Sequence, residues 1–199
     1  MLNYYYTPSL LNSWDYAMRN ELDFEIGKVE VTQAMQDGLD FENRVQSLLD
    51  GNFTSVNADY DDCVSRVAKK VKGCIPQMCV RKDIVVNDCN HLVFGFADYV
   101  GSNVIYDVKF SKSYDMGKYM HSIQHVMYMY CLGIENFAYI ISDGRDVYME
   151  HYHCPFKDHV ELEAKIRNKI TSFMDWLTLH EGVLNDFENK HLRSNKEGK

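Results

Sequence analysis

Apolar residues recur at three- and four-residue intervals in five stretches of the chain, and alternate or run together in five others. The helical stretches begin with Leu10, Leu11, Trp14 and Met18, which follow a Thr7-Pro8-Ser9 start and continue to about Arg19. Leu22 to Lys28 has no clear period and reads as a loop. Val31 to Leu49 forms a helix of about five turns stopped by Gly51-Asn52, with Gly38, Glu42, Val45 and Leu49 on one face. Asp59 to Lys72 places acids first and lysines last, as a helix dipole favours, and Pro76 closes it. Strand composition follows over Met78–Val86, His91–Val100 and Asn103–Phe110, with turn signals at 87–90 and at Gly101-Ser102. A helix over Met116–Leu132, strands over Asn136–Ile141 and Val147–Tyr152, and a long helix over Phe156–Leu179 complete the order. The tail after Asn189, with Lys190, Arg193, Lys196 and Lys199, reads as charged and frayed.

This order predicts an α/β fold: one central mixed sheet, made of a three-stranded antiparallel meander plus two further strands, flanked by helices. Residues 1–75 supply N-terminal helices, 76–155 the sheet and one helix, and 156–199 a C-terminal helix and tail, all within one domain. The length of 199 residues and a 46% hydrophobic content allow a sizeable core without disulfide staples. The six cysteines form no CxxC pair and read as free thiols. A formal charge of -8 argues against a surface that coats nucleic acid or anionic lipid broadly, but leaves room for a local basic strip. No run reaches the roughly 18 apolar residues of a membrane span, and the N-terminus lacks the pattern of a signal peptide. These features predict a cytoplasmic protein without membrane contact.

The candidate chemistry lies in Gly95 to Phe110, where Asp98, Asp107 and Lys109 interrupt runs that otherwise read as core strands. A two-residue turn at Gly101-Ser102 would set Val100 opposite Asn103 and Asp98 opposite Ile105. Asp98 and Asp107 would then be diagonal neighbours on one face, ~7–8 Å apart, with Lys109 two residues farther along. Two carboxylates so close repel unless a cation lies between them, and their oxygens select hard ions such as Mg2+ or Mn2+. An ion there can hold a phosphate oxygen and activate water, with Lys109 beside it countering transition-state charge. The acid-x-Lys tripeptide is weak alone, since the chain contains it four times, and only Asp107-Val108-Lys109 lies in a strand run with an acid on the preceding strand. A cross-strand salt bridge is the bland alternative.

With these residues the chain resembles the PD-(D/E)xK nuclease superfamily, in its RecB-like and phage-exonuclease-like branch. Gly38-Leu39-Asp40-Phe41-Glu42 matches the helix motif before the hairpin. Gly95-Phe96-Ala97-Asp98 and Ile105-Tyr106-Asp107-Val108-Lys109 match the hairpin, with Ala97 where the name-giving pattern has proline. Gln124-His125-Val126-Met127-Tyr128 matches the Gln-x-x-x-Tyr helix. The resemblance implies a restriction-endonuclease-like core. It implies that Glu42, Asp98, Asp107 and the Val108 carbonyl bind Mg2+ or Mn2+, and that Lys109 is the catalytic lysine. Gln124 and Tyr128, four apart on one helix face, would contact the substrate strand and the site wall.

Ser111 and Lys112, in a lysine- and hydroxyl-rich edge with Ser113, Tyr114 and Lys118, suit phosphate contacts. The cysteine set of iron-sulfur members is not matched, so no cluster is expected. His151-Tyr152-His153 reads as a surface pair rather than a zinc site. The implied activity is metal-dependent DNA hydrolysis, as an exonuclease in recombination or repair, with DNA as partner and a recombination protein as a second. A non-cutting binding module of the same fold and a site-specific endonuclease are the competing readings.

Overall fold

The computed structural model describes residues 3–27 and 31–192. Lys28 of the expected loop, and Arg193, Lys196 and Lys199 of the tail, lie outside them. The helices are α1 (Pro8–Arg19), α2 (Gln33–Leu49), α3 (Ala58–Val71), α4 (Ile123–Leu132), α5 (His159–Thr178) and α6 (Glu181–His191). The strands are β1 (Tyr5–Tyr6), β2 (Ile75–Val86), β3 (Cys89–Val100), β4 (Ile105–Phe110), β5 (Asn136–Ser142) and β6 (Val147–His153).

The helix starts are set by side chains that satisfy otherwise orphaned amides. Thr7 Oγ1 accepts from Leu10 N–H, Thr32 Oγ1 from Met35 N–H and Asn57 Oδ1 from Tyr60 N–H, at 3.2, 3.2 and 2.9 Å. Asp59 and Asp61 lie in the first turn of α3 and Lys69 and Lys70 in its last, complementing the helix dipole. The β2–β3 turn is Asn87-Asp88, both left-handed (φ 50° and 58°), as a tight hairpin between right-twisted strands requires.

The six strands form one mixed sheet. β2 lines one side of β3 along nearly its full length. On the other side β3 is shared by β1, parallel at Leu92–Val93, and β4, antiparallel at Tyr99–Val100. β4 and β5 then run parallel and β5 and β6 antiparallel. Apolar side chains fill both faces. Leu11, Val93, Ile105, Met127, Ile166, Phe173 and Phe187 belong to one core, built with α1, α4, α5 and α6. Phe41, Val45, Val64, Val67, Tyr99, Val108 and Ile140 form the other, beneath α2 and α3. This is the expected α/β architecture of a mixed sheet flanked by helices, compatible with a restriction-endonuclease-like core.

Several boundaries differ from the sequence reading. The helix expected over Met116–Leu132 begins only at Ile123, because Ser122 caps it and the preceding residues are turns. Pro76 does not close a helix but lies in β2, an edge strand whose outer side, among the described residues, has no ladder for its missing N–H to break. β1 is too short for a periodic signal. The C-terminal segment is helical through His191, anchored by fully buried Phe187 and by Leu192 bridging to Tyr4. No helix among the described residues is long and apolar enough to cross a membrane.

Candidate active site

The hairpin carrying the charges closes two residues away from the expected register. Gly101 is not in the left-handed conformation that a two-residue turn starting at glycine needs, and its N–H donates to Val104 O at 2.8 Å. The ladder therefore pairs Val100 with Ile105 and Tyr99 with Tyr106, which brings Asp98 into register with Asp107 rather than diagonal to it. A shift of two preserves the face. Beyond Tyr99 the strands part, and Asp98 Oδ2 accepts the Val108 N–H at 2.9 Å.

Asp98 also marks an irregularity on its other side. The β2–β3 ladder skips the Gln77–Asp98 pair, and Gln77 is left-handed with φ 47°. Ala97 packs into the first core and Tyr99 into the second, so the alternation of β3 breaks at Asp98. That break frees the carboxylate to turn toward β4 instead of standing normal to the sheet.

On β4, Asp107 is fully buried and its Oδ2 lies 2.6 Å from Lys109 Nζ, while Lys109 keeps 29% side-chain exposure. Gln124 Nε2 donates to Asp107 Oδ1 at 2.5 Å. Gln124 lies in the first turn of α4, and that turn is fixed from α1. Asn12 Nδ2 donates to the Ser122 Oγ at 2.9 Å and Asn12 Oδ1 accepts the Ile123 N–H at 2.8 Å.

One turn on, Tyr128 is 4% exposed and donates to Phe96 O at 2.8 Å, tying α4 to β3. Its hydroxyl lies over Gly95, where a Cβ would come within 2.7 Å. Glycine here permits the close approach. Tyr128 thus forms part of the wall behind the site, with its ring packed in the core.

Glu42 arrives from the opposite layer. Its neighbours Phe41 and Val45 are buried in the second core beside Val108, which directs Glu42 toward Lys109 and Asp107. Burial pushes the Glu42 carboxyl up to about 7, with Lys109 pulling it down and Asp107 pushing it up. Asp98 is raised well above the usual carboxylate range, first by burial and then by repulsion from Asp107. Burial raises Asp107 too, against the pull of Lys109 and the hydrogen bond from Gln124. For Lys109, burial opposes the charge, but Asp107 and Asp98 outweigh it and raise its pKa, so the amine is an ammonium.

One ammonium cannot neutralise three carboxylates in a poorly solvated place, so their affinity for protons rises, and a further cation would relieve the same repulsion. Among the described residues no three His, Cys, Asp or Glu side chains stand gathered as a finished metal nest. Asp98 is occupied by Val108 N–H and Asp107 by Lys109 and Gln124. The donor chemistry nonetheless fits a hard divalent ion: the side chains that the resemblance implies as ligands all offer oxygens, and buried Asp107 Oδ2 has its ion pair to Lys109 but no aligned hydrogen bond. Val108, whose carbonyl completes the implied ligand set, is buried in the second core and paired in register with Ile140.

β4 leads directly from Lys109 into a cavity of about 370 Å³ between the start of α2 and residues 110–119, lined in part by Asp37, Ser111, Lys112 and Lys118. Ser111 Oγ donates to Ser113 O and receives Lys118 Nζ, both at 2.6 Å. Lys112 pairs with Asp37 across the cavity at 2.7 Å. Elsewhere, His153 Nδ1 lies 2.9 Å from Asn136 Oδ1, His151 is exposed, and the six cysteines are free thiols.

Two residues with buried or inter-element hydrogen bonds near the site escaped the sequence reading. Asn12 had no signal, being one polar residue on a helix. Glu150 did have one: like Asp98 and Asp107 it is a charge inside a strand run, yet it is only 7% exposed.

No protein-family model and no curated protein matches the chain. Solved structures with which the chain can be superposed include SSO0001 and LHK-Exo. The crystal structure of SSO0001 superposes with a TM-score of 0.53 at 13% identity, over 84% of this chain and 75% of that one. LHK-Exo in complex with dAMP superposes with a TM-score of 0.41 at 12% identity, over 90% of this chain and 93% of that one, too weak a likeness to carry an argument. The first likeness establishes a shared fold, and what the site does rests on its own residues.

Proposed function

We propose that the protein is a metal-dependent nuclease that hydrolyses DNA phosphodiester bonds, acting as an exonuclease in recombination or repair. The observation that carries this reading is the meeting of Glu42, Asp98, Asp107, Lys109 and Gln124, from two helices and two strands, with the next residue of β4, Phe110, lining a cavity that also carries lysines and hydroxyls. A structural salt bridge needs one acid and one lysine; it does not need two further acids held against their own repulsion.

Glu42, Asp98, Asp107 and the Val108 carbonyl would hold Mg2+ or Mn2+, which when bound supplies Lewis-acid polarisation of the phosphate and a more acidic water. The chain's own groups do the rest. Lys109, charged and partly exposed, positions a phosphate oxygen and offsets charge developing on it. Gln124 fixes the Asp107 carboxylate, and Asp98 locks β4 through Val108 N–H. Ser111, Lys112 and Lys118 contact flanking phosphates, Lys112 exchanging Asp37 for a phosphate as it does so.

The test is digestion of linear and closed-circular DNA side by side with Mg2+ or Mn2+. Loss of linear DNA alone is the expected result. Cleavage of circles points to an endonuclease, and an intact substrate in both arms overturns the reading. A non-cutting DNA-binding module is the second reading, favoured by the internal partners that Asp98 and Asp107 already have. Calorimetric titration with Mn2+ separates the two, because a non-cutting module has no use for a cation site.

A further inference from the structure

We propose that Glu150 is a positioning residue that holds the 113–119 segment in place as one wall of the substrate cleft. The inference rests on the nuclease reading for what enters the cleft, but the contacts that carry it are independent. Asp107, Tyr139 and Glu150 stand in register on three adjacent strands, β4, β5 and β6. Glu150 therefore lies roughly 10 Å from Asp107, two strand spacings away in the same row.

Its carboxylate is buried and gathers four donors from groups that have no other reason to meet. Oε1 accepts from Tyr114 OH at 2.8 Å and Gly117 N–H at 3.0 Å. Oε2 accepts from Tyr152 OH at 2.8 Å and Tyr119 N–H at 3.4 Å. Three of these donors belong to the segment between β4 and α4, which has no helix or strand of its own to fix it. Thus fastened, Tyr119 stacks on Tyr139 with ring centroids 4.7 Å apart, closing the row between Glu150 and Asp107. Lys118, carried between Gly117 and Tyr119, reaches Ser111 Oγ at 2.6 Å and Ser113 O at 3.3 Å. Lys118 and Ser111 thereby form one donor pair on the cleft wall, next to Lys109.

The clamp works by geometry rather than by charge, which makes a clean variant pair. In Glu150→Gln the amide oxygen can keep the Tyr114 and Gly117 donors, and the Tyr152 hydroxyl can turn to accept from the new NH2 group; only the long Tyr119 contact is lost. Glu150→Ala loses all four.

Binding of a fluorescent oligonucleotide without metal, and saturating turnover with Mn2+, are measured for both variants and the parent. Lys118 is the only lysine or arginine between Ser113 and His121, so tryptic cleavage there reports release of the segment. Glu150→Ala is expected to weaken binding by about tenfold, the effect of one or two phosphate contacts. It is also expected to admit trypsin at Lys118 and to leave kcat within about threefold, with Glu150→Gln staying near the parent in all three. Unchanged affinity in Glu150→Ala overturns the proposal, as does equal loss in Glu150→Gln. A parent that binds the oligonucleotide and responds as described, but degrades no DNA, defeats the nuclease reading and leaves the clamp supported. A parent that binds no oligonucleotide defeats both.

Discussion

Gln124 on α4 and Asp107 on β4 meet at 2.5 Å, and this contact joins the two halves of the site. The amide occupies Asp107 Oδ1 while the Lys109 ammonium occupies Oδ2, so the carboxylate has one rotamer and one direction. The helix presenting Gln124 is itself held at both ends of its first turns, by Asn12 and by the Tyr128–Phe96 bond.

Removal of the acid or the lysine should therefore differ from removal of the amide. Asp107→Asn and Lys109→Ala are expected to lower Mn2+-dependent DNA degradation by at least about 10³-fold, and Gln124→Ala by about 10–100-fold, as for other residues that orient a catalytic group. Circular dichroism should show all three folded. Full activity in Lys109→Ala removes that residue from the reaction.

Glu42 should link metal to stability. Its carboxyl, pushed up to about 7, prefers to stay protonated in the folded chain, whereas an ordinary glutamate ionises near 4.5. Between those values the unfolded chain gives up its proton first, so the metal-free protein loses stability as pH rises from 4.5 through 7. At pH 8 Glu42→Gln should melt above the metal-free parent, while Mn2+ should raise the melting temperature of the parent and not of the variant. An equal Mn2+ response in both takes Glu42 out of the ligand set.

His125 predicts an acid limit of a different origin. It is 7% exposed, stacked on Tyr152 at 3.9 Å, and its pKa is lowered from 6.5 to about 4, first by burial and then by Lys165. At neutral pH both states are uncharged. As pH falls from 6.5 to 4 the unfolded chain takes up a proton that the folded one refuses, at a cost of about 3 kcal/mol by pH 4. Thermal melts from pH 7 to 4 should lose less stability in His125→Phe than in the parent, and an unaltered acid slope contradicts this.

Gly95 and Tyr128 should couple. An added Cβ at Gly95 meets Tyr128 OH at 2.7 Å, its Cε1 at 3.0 Å and Pro8 Cδ at 3.3 Å, so Gly95→Ala is expected to cost about 1–3 kcal/mol by overpacking. Tyr128→Phe should cost about 1 kcal/mol through the lost bond to Phe96 O. Because the phenylalanine removes the nearest clashing atom, the double variant should lose less than the two singles together. Strict additivity in urea melts disproves the contact.

The amino-acid sequence by itself determined the α/β order, most element limits and the placing of charge inside the hairpin, because periodicity, caps and buried charge are local signals. Thr7, Thr32 and Asn57 stop or start helices through contacts three residues away, and Asp107 and Lys109 share a face by alternation alone. The hairpin register could not be read so, since Gly101-Ser102 is compatible with a two-residue turn or a four-residue loop, and the packing of Val100 and Ile105 in one core chooses between them. The short β1, the docking of α6 through Phe187, and the start of α4 at Ile123 likewise depend on partners far along the chain. Only the tertiary structure decided that Asp98 turns to Val108 where the strand alternation breaks, that Glu42 reaches the hairpin from the opposite layer, and that Glu150 fastens the cleft wall. These are meetings of residues 10 to more than 60 positions apart, whose contacts are fixed by how the layers pack, even where a motif or a charge within a strand marks the residue itself.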